Sequence, residues 1–123
     1  VIVPVNKNKS SHRVVIEDLA ADLDDIAEDI VKRKIARDLY LIADGDISLS
    51  GVKAYSLRRS RYKGLMLIDP DEESVGKIPS RKSGAVTVLS TGDDLPRVPS
   101  QTYAQVVRTA DDITEAYSRL FNY

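Results

Sequence analysis

Five cations crowd one short stretch of this chain: Lys53, Arg58, Arg59, Arg61 and Lys63, with no acid between Asp46 and Asp69. Tyr55 and Tyr62 are interleaved among them. Guanidinium and ammonium groups at this density neutralise phosphates, and a tyrosine ring stacks on an unpaired base. A second basic group, Lys77, Arg81 and Lys82, follows in a segment rich in turn residues. The candidate nucleic-acid-binding residues are therefore Lys53, Arg58, Arg59, Arg61, Tyr62, Lys63, Lys77, Arg81 and Lys82, with RNA as the expected partner. The competing reading of the same residues is a solvated edge. It would pair with an acidic helix, and its like charges would discourage sheet-to-sheet aggregation.

Carboxylates close in sequence occur at Asp44-Gly45-Asp46 and at Asp69-Pro70-Asp71-Glu72-Glu73. The first lacks the twelve-residue calcium loop and its closing glutamate. The second ends the apolar run Leu65–Ile68. A metal-dependent phosphodiester hydrolase would place Asp69 and Asp71 there, with a neighbouring lysine. Asp-Pro-Asp is equally a turn. The 123 residues contain no cysteine and one histidine, His12, which removes disulfides, thiolate metal sites and a cysteine nucleophile. Neither a Gly-x-Ser-x-Gly elbow nor a Gly-rich phosphate loop occurs. The expectation is a non-enzymatic protein with no metal and no cofactor.

These groups need a scaffold. At 42% apolar and 30% charged residues the composition is that of one globular domain, 1–123. Net charge is −1. Residues 1–50 carry 7 basic and 10 acidic side chains, and residues 51–123 carry 11 and 9. No bilayer-length apolar run and no signal peptide is read in the sequence, so an intracellular, cytoplasmic protein with no membrane partner is expected. Residues 1–16 read as an extended segment, with strand character at Val1–Val5 and His12–Ile16.

Residues 17–40 read as one long helix. Ile16, Leu19, Leu23, Ile26 and Ile30 recur at steps of three and four, with acids ahead of bases along the axis. Residues 52–108 hold the sheet and its loops, with strands expected at Val52–Arg58, Lys63–Asp69, Ala85–Leu89 and Tyr103–Arg108. Thr109 caps a closing helix, 110–121. The fold class is α/β: a small mixed sheet of about four strands, packed with one long N-terminal helix and a short C-terminal one. The expected core is Leu19, Leu23, Ile26, Ile30, Leu65, Leu67, Val86, Val88, Val106, Ile113 and Leu120. The stripe of the long helix also offers a seam for a homodimer.

Taken together, the long helix Glu17–Tyr40, the basic segment Lys53–Lys63 and the closing helix Asp111–Phe121 resemble the packaging and assembly cofactor of double-stranded-RNA bacteriophages, the cystoviruses. That resemblance implies a dimeric, non-enzymatic viral protein of the virion inner core. It would contact RNA and other viral core proteins beside the packaging motor and the polymerase. A second resemblance, in size and in a small sheet between helices, is to the protein-interaction modules of BRCT type. Their characteristic tryptophan is absent here.

Overall fold

The computed structural model describes residues 16–35, 38–57, 61–79, 85–95, 97–99 and 102–121, with side chains from residue 20 onward on the first helix. The strands expected at Val1–Val5 and His12–Ile16 fall outside this range, except that Ile16 opens a helix.

Helix α1, Ile16–Lys32, is shorter than the sequence suggests. Lys34 sits in the left-handed region at φ 58°. The Ile35 N–H donates to the Ile30 carbonyl (3.1 Å) and the Lys34 N–H to the Val31 carbonyl (3.0 Å), the bond pair of a Schellman cap. Leu39 and Tyr40, expected to end the helix, instead open strand β1, Leu39–Asp44. Its apolar run satisfies either period, and pairing in the sheet decides between them.

Helix α2, Ser48–Leu57, replaces the strand expected at Val52–Arg58. It is buried on most sides, at Ser48, Leu49, Ser50, Gly51, Val52, Ala54 and Tyr55. An element sandwiched between a sheet and another helix has no polar face to give it a helical period. Gly51 allows a close approach to β1: a Cβ there would stand 2.8 Å from the Ala43 Cβ.

Strand β2 is Tyr62–Ile68, α3 is Glu72–Gly76, β3 is Ala85–Ser90, β4 is Tyr103–Val106 and α4 is Ala110–Phe121. The four strands lie in the order β1-β2-β3-β4, and every neighbouring pair is parallel, so the sheet is parallel and not mixed as expected: each connection crosses over and returns the chain in the same direction. Right-handed crossovers that always step in one direction stay on one face of a sheet. Accordingly α2 packs on β1 and β2 and touches α3, α1 lies on α2, and Val98 of the β3–β4 connection joins the same apolar cluster. That cluster centres on Leu65, Leu67, Val86 and Val88, with Val52, Tyr55, Tyr62 and Ile78 around them.

The other face carries α4, which lies over β2 and β3. Ala116 and Leu120 meet Met66 and Leu89. Of the remaining expected core residues, Val106, Leu23, Ile26 and Ile30 are half-buried and Ile113 is exposed, while Leu19 lies outside the described side chains. On α1 it is Ala20 and Ala27 that are fully buried.

Candidate functional site

The basic segment divides between α2 and β2. Lys53 and Tyr55 sit on α2, Lys53 half-buried and Tyr55 in the core. Arg61 and Lys63 flank the start of β2. Arg58, Arg59, Arg81 and Lys82 lie outside the described residues, and Lys77 is exposed just beyond α3.

The Arg61 guanidinium donates to the Asp24 carboxylate (2.8 Å) and to the Asp24 carbonyl (3.0 Å). The two side chains are only 19% and 16% exposed. Arg61 therefore clamps α1 to the entry of β2 instead of facing solvent. Lys63 lies 3.5 Å from the Asp38 carboxylate at the surface.

Tyr62, assigned above to base stacking, is 4% exposed. Pairing runs Leu39 with Tyr62 but Tyr40 with Gly64, so β2 carries one extra residue, a bulge. The bulge turns the Tyr62 ring into the same cluster as Leu65 and Leu67. A ring held there cannot stack on an extruded base.

The two candidate catalytic carboxylates serve separate local structures. Asp69, at φ 47°, accepts from the Thr91 N–H (2.8 Å) and the Thr91 hydroxyl (2.5 Å), tying the exits of β2 and β3 together. Asp71 caps α3, accepting from the Ser74 N–H (3.0 Å) and the Ser74 hydroxyl. Those Ser74 bonds, hydroxyl first, hold the Asp71 carboxyl below its ordinary pKa. Among the described residues no three His, Asp or Glu side chains converge as a metal site. At the start of α4, Asp112 accepts from the N–H groups of Arg108 (2.9 Å) and Thr109 (3.2 Å), and the Thr109 hydroxyl accepts from the Asp112 N–H (3.3 Å). This capping box lowers the Asp112 pKa, chiefly through the Arg108 N–H.

What the arrangement leaves open is one face of α1. At about 100° per residue, Asp24 lies about 50° to one side of the Ala20–Ala27 seam, with Leu23 and Ile30 about 50–70° to the other side and Ile26 about 110° away. Docking through two alanines, with Asp24 drawn onto Arg61, turns the larger apolar residues away from α2. Leu23, Ile26 and Ile30 are each half-buried. Asp22, Asp25, Glu28 and Asp29 are exposed around them, and Arg33 pairs with Asp29 at 3.0 Å.

The spacing of this stripe was visible in the sequence, but its incomplete burial was not. The only signal was that small residues occur at Ala20 and Ala27, seven positions apart.

The molecule belongs, by architecture, to the α/β class: a four-stranded parallel sheet wound in one direction, with helices on both faces. No protein-family model matches the chain, and no curated protein or solved structure matches it. Among the described residues, no helix is long and apolar enough to cross a membrane.

Proposed function

We propose that this domain is a non-enzymatic assembly accessory protein, which acts by presenting a rigid interaction surface to another protein. The observation that carries the reading is the setting of α1. The most regular apolar stripe of the chain is only half-buried and joins neither apolar cluster of the sheet among the described residues, while Ala20 and Ala27 are fully buried. A helix serving only its own core would bury the wide side of its stripe.

Two further observations support it. Ligand crevices in parallel sheets form where the strand order reverses. The order β1-β2-β3-β4 has no such point. Asp69 and Asp71, the pair a phosphodiester hydrolase would use, are each bonded to a different neighbour. The RNA-binding reading has less to rest on, because Arg61 is paired with Asp24 and Tyr62 is buried.

The test is incubation with single- and double-stranded RNA at two salt concentrations, with and without magnesium or manganese. The assembly reading expects no cleavage, and no affinity that grows as salt falls. Metal-dependent cleavage abolished by Asp69→Asn would establish the hydrolase instead. Salt-dependent binding weakened by Arg58→Ala/Arg59→Ala, with the melting temperature unchanged, would establish the basic patch.

A further inference from the structure

Resting on the assembly reading, we infer that the half-buried apolar stripe of α1 takes an amphipathic helix of a partner protein, with an apolar stripe flanked by lysines and arginines. Three features of the face define this occupant. Leu23, Ile26 and Ile30 follow a three–four rhythm, which suits knobs of a second helix running nearly parallel or antiparallel to α1. One border of the stripe is closed by α2 and by the Arg61–Asp24 clamp, so a partner must lie against the opposite border.

That open border and the back of the helix are acidic. Asp22, Asp25, Glu28 and Asp29 are exposed there, against Lys32 and Arg33 at the C-terminal end. Arg33 and Asp29 pair with each other and largely cancel, which leaves Asp22, Asp25 and Glu28 against Lys32. The field met by an approaching helix is negative along the length of the stripe, which steers basic partners in and acidic ones away.

A second copy of this chain fits the face poorly. Antiparallel pairing with Leu23 opposite Ile26 brings Asp22 of one copy toward Asp29 of the other, and parallel pairing sets the acidic half of α1 beside itself. Like charges along a helix seam oppose pairing. The homodimer expected from the stripe alone thus gives way to a partner of opposite charge.

The test uses the full chain and two synthetic helical peptides. Both carry leucine and isoleucine at three–four spacing. One is flanked by lysine and arginine, the other by glutamate. Binding is read by fluorescence anisotropy at two salt concentrations, and the oligomeric state of the protein alone is read by sedimentation.

The basic peptide is expected to bind, and to bind more weakly in high salt. Ile26→Asp should abolish the interaction. Because Ile26 is half-buried, the double variant Asp22→Lys/Asp29→Lys supplies a second reading from exposed positions. It should weaken the basic peptide roughly three- to tenfold and improve the glutamate-flanked one, with the melting temperature lowered only slightly by loss of the exposed Asp29–Arg33 pair.

Equal binding of both peptides would overturn the basic partner and leave the assembly reading standing. A dimer of the protein alone, broken by Ile26→Asp, would replace the partner helix with a second copy. Failure of both peptides with a monomeric protein would overturn the inference. Failure of the assembly reading itself shows separately, as RNA binding or cleavage.

Discussion

Gly51→Ala sets two well-measured effects against each other at one carbon atom. In an exposed helix interior, alanine stabilises over glycine by about 1 kcal/mol. Gly51, however, is buried under β1, and the new Cβ would lie 2.8 Å from the Ala43 Cβ. Carbon atoms rest about 3.5–4.0 Å apart, so α2 and β1 must separate by close to 1 Å. A long side chain would swing aside, but Ala43 has nothing beyond Cβ to rotate. The next neighbours, Leu65 Cδ1 and Leu67 Cδ2, are already in ordinary contact at 3.9 Å.

Overpacking of this kind costs about 1–3 kcal/mol. Against the propensity gain, Gly51→Ala should destabilise by about 1 kcal/mol, read from the urea midpoint at constant m-value. Ala43→Gly removes the opposing methyl. In the double variant the two changes should couple favourably by about 1–2 kcal/mol. A Gly51→Ala protein more stable than wild type, or a cycle with no coupling, would refute the close-approach argument.

Other perturbations test the remaining parts. Arg61→Ala should cost about 1–3 kcal/mol, between the values for exposed and fully buried pairs; an unchanged thermal midpoint would show that the clamp holds nothing. Ser50 is 1% exposed and its hydroxyl makes no hydrogen bond among the described residues, so Ser50→Ala should stabilise by about 1 kcal/mol in chemical denaturation. Asp71 and Asp112 have folded-state pKa values below the ordinary 3.8. The unfolded chain therefore binds more protons in that window. Their contribution is present above about pH 4 and lost as pH falls through the lowered values. Thermal melts of an Asp71→Asn/Asp112→Asn variant should decline less steeply below pH 4 than those of wild type; parallel curves would show that the two carboxylates contribute nothing to acid unfolding.

The strands were legible where apolar residues alternate or run without charge, as in Leu65–Ile68 and Val86–Leu89, and α4 where Thr109 and Asp112 announce a cap. The end of α1 was not. No glycine marks it, because Lys34 takes the left-handed position itself. Nor was α2, whose burial on several sides erases its period. The basic segment looked continuous because charge counting ignores which residues turn inward. A bulge at Lys63 and a distant carboxylate at Asp24 decide that, and neither has a local signature. The carboxylate pair Asp69 and Asp71 was placed correctly at a strand exit, with its bonding partners invisible until Thr91 and Ser74 were in view.

The strand order has a consequence for how the chain comes to be folded. Each strand pairs with the one made just before it: Leu39 with Tyr62, Gly64 with Ala85, Thr87 with Tyr103. Nothing made late must be threaded between two earlier strands. During synthesis, from N- to C-terminus, the sheet can lengthen by one rib at a time, each new strand zipping onto a waiting edge. The cost of parallel pairing, a long loop closed before any contact rewards it, is thereby divided into three modest steps. Helix α4 arrives last and covers Met66 and Leu89, which stay bare until then. A ribosome-tethered chain ending after β4 would hold a nearly finished first face and an open second one, the interval in which a chaperone would find it most adhesive.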